Sequence, residues 1–129
     1  MSERPPRQVK FVKARTAALA PARYQAEVEL RGAANTYVGR AEAADADLAA
    51  LQAAARATAD ALRLLGHRVD VKEIEVLKPF GRFAVAALVE ARYEDEKRSL
   101  VGFCMDAGDL NRAASLAVLN AVNRFLDIG

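Results

Sequence analysis

The sequence contains very few of the side chains on which most sites are built. Its 129 residues include one cysteine, one histidine and no tryptophan. A lone cysteine, Cys104, excludes an intramolecular disulfide, and proteins without disulfides are typical of reducing compartments. We therefore expect a cytoplasmic protein.

Long apolar runs and an excess of one charge are also missing. No run approaches the roughly 18 apolar residues that cross a bilayer, and residues 1–7 lack the apolar stretch of a secretory signal. The formal net charge of +2 is too small to indicate a nucleic-acid partner. Basic side chains do crowd the first segment, where Pro5 and Pro6 predict a flexible lead-in over residues 1–7.

An internal repeat is the strongest signal in the sequence. The matched segments follow in the same order at an offset of about 60 residues. They are Val9–Ala14 with Val71–Val76, Arg23–Leu30 with Arg82–Val89, Tyr37–Arg40 with Leu100–Phe103, and Arg63–Leu65 with Arg124–Leu126. The pattern predicts a single domain over 1–129, with repeat one at about 8–66 and repeat two at about 68–127.

Strand signals open each repeat. In repeat one, Tyr24, Ala26, Val28 and Leu30 alternate with polar residues, the period of a strand with one exposed face. The turn residues Gly32–Asn35 follow, and a further strand runs to about Ala43.

Repeat two has the same alternation at Phe83, Val85, Ala87 and Val89, a polar turn at Glu94–Lys97, and a strand over Leu100–Met105. Its opposite positions Ala84, Ala86 and Leu88 are apolar as well. A strand that is apolar on both sides is typically covered on both faces, and we expect that here.

A helix closes each repeat. The first is predicted from about Asp47 to Leu65, with Asp45 or Asp47 as its N-cap and Gly66 just beyond its end. The second is predicted from near Asp109 to about Leu126. Its apolar surface is too wide for one sheet, so we expect a second copy of the chain to cover the extra flank. The residues expected at this dimer interface are Leu116, Leu119, Val122 and Leu126.

The predicted fold class is α+β. Duplicated β-β-β-α units form antiparallel sheets packed with two long helices, related by a pseudo-twofold repeat.

Catalytic residues, a metal site and a cofactor site are not expected. His67 follows a helix end, where a cation suits the helix dipole, and Cys104 is predicted to be a buried structural thiol. Asp45, Asp47 and Asp109 precede helices, where caps are expected, and the glycines do not cluster into a phosphate-binding loop. The chain is therefore predicted not to be an enzyme.

The N-termini of the two helices are the candidate ligand sites. Each follows a strand that we expect to be central, and free backbone N–H groups with a positive dipole end suit a carboxylate. Small glycines would let a ligand approach the backbone, and an aspartate could meet an ammonium group. The residues at these corners are Gly102, Asp106, Gly108, Asp109 and Asn111 in repeat two and Gly39 and Asp45 in repeat one. The same residue types are also common in ordinary loops that precede helices, so an ordinary loop is an alternative explanation for them.

The order of three strands and a helix, twice over from about Val9 to Leu126, resembles the C-terminal regulatory domain of 2-isopropylmalate and citramalate synthases. The resemblance implies a homodimeric, non-catalytic module that binds an amino acid or a 2-oxo acid between its units. The glycine- and proline-containing helix entry of that family would fall near Gly39–Asp47 or Gly102–Asp109.

Two other functions stay open. One is a homodimeric assembly or scaffold protein. The other is a double-stranded-RNA-binding module, since the stretch between the helices has the order helix, three strands, helix. Such modules place lysines at the start of the second helix, where this chain has Asp109-Leu110-Asn111-Arg112. Nucleic acid is therefore an unlikely partner.

Overall fold

The chain folds into two successive units of three strands and a helix. The computed structural model describes residues 9–44, 48–105 and 108–128. The first unit consists of β1 (Lys10–Ala20), β2 (Arg23–Arg31), β3 (Thr36–Ala44) and α1 (Ala49–Leu64). The second consists of β4 (Arg68–Leu77), a short 3-10 turn (Pro79–Gly81), β5 (Ala84–Tyr93), β6 (Glu96–Met105) and α2 (Leu110–Leu126). The α+β class with repeated β-β-β-α units is confirmed.

Each unit forms its own antiparallel sheet. The strand order is β1-β2-β3 in the first sheet and β4-β5-β6 in the second. A register shift occurs between Phe11 and Lys13 in β1 and between Val71 and Glu73 in β4. A β-bulge adds one residue to one strand and bends it, so its recurrence at the same place in both units supports the duplication.

Both helices and the inner faces of both sheets share one hydrophobic core. Each helix packs against the second and third strands of its own unit, the other helix, and the first strand of the other unit. Burial of apolar side chains from every element in this one core is the main source of stability. No helix among the described residues is long and apolar enough to span a membrane.

Two glycines set how closely the helices approach the sheets. A Cβ atom at Gly39 would collide with the carbonyl oxygen of Ala57 and lie 2.9 Å from the Cα of Ala61. A Cβ atom at Gly102 would collide with the carbonyl oxygen of Ala117 and lie 2.8 Å from the Cα of Ala121. Helix backbone therefore rests directly on strand backbone at equivalent places in both units. Aligning Gly39 with Gly102 therefore gives each residue of β3 its equivalent residue in β6.

The observed helix ends agree in part with those predicted from the sequence. Gly66 has a φ of +98° just beyond α1, and the N–H of His67 donates to the carbonyl of Leu62 at 2.9 Å. This is the glycine-terminated helix end that the sequence predicts. At the start of α1, Leu48 holds the capping position without a side-chain hydrogen bond. The predicted caps, Asp45 and Asp47, lie outside the described residues.

The interpretation of the wide apolar surface on α2 is corrected. Leu119, Val122 and Leu126 are 4%, 0% and 2% exposed within a single chain, and Leu116 is partly buried against the same core. The second partner of this helix is α1 of the same chain. These four residues therefore pack inside the protein and do not form the exposed flank that the dimer prediction required.

The prediction that the middle strand of the second unit is covered on both faces holds only in part, since on the outer face Ala84 alone is buried, at 2% exposed. Val85, Ala87 and Val89 are fully buried against the helices. Ala86 and Leu88, which point the other way, are only partly buried. An outer face that carries apolar residues and is only partly covered by the described residues is therefore present on the second sheet.

Candidate functional site

The start of α2 is occupied by the chain's own side chains. The carboxylate of Asp109 accepts hydrogen bonds from the backbone N–H groups of Asn111 at 3.0 Å and Arg112 at 3.1 Å. The side chain of Asn111 donates to the hydroxyl of Thr16 on β1 at 3.0 Å. Asp109 is therefore a helix cap, and Asn111 ties α2 to the other unit. The groups expected to receive a ligand carboxylate are already paired.

The glycines predicted to admit a ligand serve packing instead. Gly39 and Gly102 are buried, and the close approach that they permit is made by α1 and α2. The strands that carry them, β3 and β6, are edge strands rather than central ones. Gly108 is exposed before α2, and Asp45 and Asp106 lie outside the described residues.

The remaining reactive side chains lie on different elements. Cys104 is a partly buried thiol on β6, and His67 is partly buried between the end of α1 and the start of β4. Within residues 9–44, 48–105 and 108–128, no group of three or more His, Cys, Asp or Glu side chains is placed to hold a metal ion.

Helix side chains occupy backbone groups on the two edge strands. Asp60 of α1 accepts a hydrogen bond from the N–H of Arg40 on β3 at 2.9 Å. Asn120 of α2 donates to the carbonyl of Phe103 on β6 at 2.8 Å. Each hydrogen bond satisfies one backbone group on an edge strand and ties the helix to that strand.

The outer face of the first sheet carries a network of paired charges. Glu27 contacts Arg40 at 3.0 Å and Arg15 at 3.6 Å, and Arg23 contacts Glu42 at 3.0 Å. The hydrogen bond from Arg40, together with its positive charge, holds the pKa of Glu27 below its usual value. A face of this kind is well solvated and offers little apolar area to a partner.

The outer face of the second sheet is different. Among the outward side chains of its three strands, we call the accessible apolar ones the apolar face: Leu77, Ala86, Leu88, Val101, Phe103 and Met105. Val101, Phe103 and Met105 of β6 are 55%, 55% and 54% exposed. The equivalent residues of β3, aligned through the two glycines, are Val38, Arg40 and Glu42. The two units thus share a fold but differ in what they present to solvent.

A hairpin loop lies at the end of the second sheet that carries Leu77 and Met105. Residues 78–83 join β4 to β5, whereas Pro21 and Ala22 alone join β1 to β2. Phe80 in this loop is 98% exposed and has a φ of 55°, in the left-handed region that non-glycine residues rarely adopt. Phe83 is 50% exposed, with the ammonium of Lys78 5.4 Å from its ring centroid. A non-glycine residue in this region costs of order 1–3 kcal/mol, and such strained positions cluster at functional sites.

Charged side chains border the apolar face on two sides. Glu73 and Glu75 of β4 flank Leu88 and Val101 in a shallow groove. A second groove at one end of the sheet is lined by Arg68, Arg92 and Lys97 together with the acidic residues Asp70 and Glu90. An apolar centre with a charged border is the usual composition of a protein–protein interface.

No protein-family model and no curated protein matches this chain. The resemblance to the synthase regulatory domain therefore stays a prediction, and the function has to be argued from the surface itself.

Sequence reasoning placed the site at the helix N-termini and missed the apolar face. The signal was present, because Ala86 and Leu88 are apolar at positions that repeat one fills with charge. The sequence analysis attributed these apolar residues to a strand buried on both faces within the chain. The same alternation in β6, with Val101, Phe103 and Met105 between the inward residues, marks the neighbouring strand.

Proposed function

We propose that this chain is a non-catalytic assembly module that forms a homodimer by burying the apolar face of its second sheet. The observation that carries the proposal is the row of half-exposed Val101, Phe103 and Met105 on β6. Contiguous apolar patches of this kind are rare on the surfaces of monomeric proteins and mark interaction sites.

The equivalent face of the first unit supports this interpretation. Both sheets have the same strand order and pack a helix on the inner side, so the fold does not require apolar residues outside. Arg40 occupies the position equivalent to Phe103 and pairs with Glu27. Phenylalanine at that position in the second unit therefore serves something other than folding.

Replacing Phe103 by arginine tests the proposal. The substitution introduces the residue that the first unit already has at this position, so the fold should tolerate it. Loss of a central aromatic contact typically costs about 2 kcal/mol or more in binding, which raises the dimer Kd about 30-fold. Light scattering coupled to size-exclusion chromatography should give the mass of two chains for the wild type and of one chain for the variant.

The matched control is Val38→Arg, which adds the same charge to the outer face of the first sheet. Its mass should equal that of the wild type. A wild-type chain that is monomeric across the micromolar range, or a Phe103→Arg variant that stays dimeric, contradicts the proposal.

Binding of an amino acid or a 2-oxo acid stays a prediction for which the geometry of the described residues offers less support. A thermal-shift series with branched-chain amino acids and 2-oxo acids at millimolar concentrations tests it. A ligand at about 100 times its Kd adds roughly 2.7 kcal/mol of stability, or several degrees in Tm. We expect no selective shift, because Asp109 and Asn111 already satisfy the start of α2. A shift with one ligand class would restore the regulatory function.

A further inference from the structure

The hairpin loop between β4 and β5 is longer than its equivalent in the first unit. Residues 78–83, with the sequence Lys-Pro-Phe-Gly-Arg-Phe, join β4 to β5, whereas Pro21 and Ala22 alone join β1 to β2. A two-residue connection is thus sufficient for this pair of strands in this fold. The additional residues therefore serve something other than closing the hairpin.

Phe80 in this loop gives the folded chain little in return for its backbone strain. Its side chain is 98% exposed, so it buries almost no area against the rest of the chain. Its φ of 55° is a value that glycine adopts more readily than phenylalanine. The turn that presents it is closed by a hydrogen bond of 3.0 Å from the N–H of Arg82 to the carbonyl of Pro79. A ring held outward in this way indicates a contact made outside the chain.

The side chains around the exposed ring carry one sign of charge. Lys78 and Arg82 are exposed, and neither takes part in an ion pair within the described residues. The ammonium of Lys78 lies 5.4 Å from the centroid of the Phe83 ring, so a cation and a second aromatic ring lie side by side. The sequence has no acidic residue between Glu75 and Glu90. The loop therefore suits an anionic surface.

The chain returns to this end of the sheet at Met105, which pairs with Ala84. Two acidic residues follow. The carboxylate of Asp109 already accepts hydrogen bonds from backbone N–H groups of α2, and Asp106 lies outside the described residues. Among the described residues at this end, the carboxylate is thus engaged within the chain, while the two loop cations are available to a partner.

We propose that the loop over residues 78–83 docks this protein on the surface of an anionic lipid bilayer. Phe80 enters the interfacial region, and Lys78 and Arg82 contact the anionic headgroups. Apolar rings with flanking cations are the usual composition of segments that bind at this depth, and each cation near an anionic membrane adds to the attraction. The contact needs no membrane-spanning helix, because only the loop enters the bilayer surface. It also does not depend on the homodimer, since none of these three residues belongs to the apolar face.

A bilayer fits this loop better than a protein or a nucleic acid does. A standard protein interface buries about 800 Å² per partner, which is more than one projecting loop supplies. Single-stranded nucleic acids are held in grooves lined with many cations and stacked rings, whereas here two cations flank a single projecting ring. A fluid bilayer requires no matching shape, so a protruding ring can enter it without a preformed pocket.

The expected binding is weak and reversible. Even one myristoyl chain gives an association constant of only about 10⁴ M⁻¹, and the loop offers no more apolar area than such a chain. Co-sedimentation with vesicles at millimolar lipid measures binding in this range. The wild type should bind mixed phosphatidylcholine–phosphatidylserine vesicles in low salt. Binding should decrease in high salt, which screens the cations, and on pure phosphatidylcholine vesicles.

Phe80→Gly tests the ring. The variant lacks the exposed side chain and has the residue that the left-handed backbone favours, so its Tm should not fall. Its partition onto mixed vesicles should decrease about 30-fold, which corresponds to about 2 kcal/mol for burial of a phenylalanine. The control is Leu19→Ser, which removes a 50% exposed leucine beside the hairpin of the first unit. This control should partition as the wild type does.

Lys78→Glu with Arg82→Glu tests the cations. The two reversals replace attraction by repulsion at the headgroups, and partition in low salt should decrease about tenfold or more. The matched control is Lys10→Glu with Arg31→Glu, which reverses two exposed, neighbouring cations on the first sheet and changes the net charge equally. Its partition should stay within about threefold of the wild type, because charges far from the bilayer are screened.

The outcomes decide the proposal as follows. Losses in both loop variants, with both controls unchanged and thermal melts showing folded chains, support it. A wild type that does not sediment with mixed vesicles in low salt overturns it. Equal losses in the test and control reversals also overturn it, since net charge rather than the loop then holds the chain. Binding that Phe103→Arg abolishes and Phe80→Gly does not assigns the contact to the apolar face. Phe80-dependent binding of a single-stranded RNA oligonucleotide, without vesicle binding, replaces the bilayer by a nucleic acid.

Discussion

Replacing Gly102 by alanine is expected to lower the free energy of unfolding by about 3 kcal/mol or more. Overpacking a core costs about 1–3 kcal/mol when side chains can adjust. Here the new methyl group meets the carbonyl oxygen of Ala117 and the backbone of Ala121, and helix backbone cannot move aside locally. The helix has to shift away from β6, which loosens its remaining contacts. Gly39→Ala should behave in the same way against α1.

Urea denaturation and thermal melts measure this effect, in the Phe103→Arg background so that dissociation does not contribute. We expect the Tm of Gly102→Ala to fall by about 10 °C or more, given about 2–8 °C per kcal/mol for domains of this size range. Ser99→Ala, at an exposed position of the same strand, is the control and should change the Tm by no more than 2 °C or so. Removing the facing side chain, as in Gly102→Ala with Ala117→Gly, should give no rescue, because the obstructing atom belongs to the backbone. Wild-type stability in Gly102→Ala would show that the helix does not rest on the strand.

Replacing Leu62 by alanine should lower the free energy of unfolding by a similar amount. Here the cause is a cavity in the core rather than overpacking. Leu62 lies in α1 and is fully buried in the shared core. Replacing such a leucine by alanine typically costs about 2–5 kcal/mol, through lost burial and the cavity left behind. We expect about 3 kcal/mol, since the alanine residues around it are small and the backbone contacts of α1 with β3 limit collapse into the space.

Leu64 provides a matched comparison in the same helix. Its side chain is 56% exposed, and leucine and alanine differ little in helix propensity. Leu64→Ala should therefore change the free energy of unfolding by no more than about 0.5 kcal/mol. Equal losses in the two variants, measured by urea denaturation, would contradict the packing described for α1.

Local patterns predicted the elements, because these depend on neighbouring residues. The alternation in Tyr24–Leu30 predicted β2, the turn at Gly32–Asn35 closes with a 2.8 Å hydrogen bond, and Gly66 follows the end of α1. The repeat was detectable for the same reason, since each unit carries the same series of local signals.

What covers an apolar surface could not be predicted from the pattern alone. Leu119 and Val122 on α2 needed a second partner, and α1 of the same chain supplies it. Leu88 and Phe103 are also apolar residues that need a partner, and no element among the described residues covers them. The difference is decided by contacts between units far apart in sequence, and periodicity carries no information on those.

The glycines of the candidate ligand site show a related ambiguity. A glycine beside a helix start is compatible with a bound ligand or with a close helix contact. The residues around Gly39 and Gly102 do not distinguish between these two explanations. Only the positions of Ala57 and Ala117 distinguish the two, because their carbonyl groups fill the space that a ligand would need.

The contrast between the two outer faces also limits how large an assembly can grow. If both sheets were apolar outside, each chain could join two neighbours and the contacts would propagate into open fibres. Arg40 and Glu42 on the first sheet stand where Phe103 and Met105 stand on the second, so among the described residues only the second sheet has an apolar outer face. In the proposed dimer both copies bury that face, and the described residues offer no second apolar sheet face to a third chain, so the assembly is expected to stop at two chains.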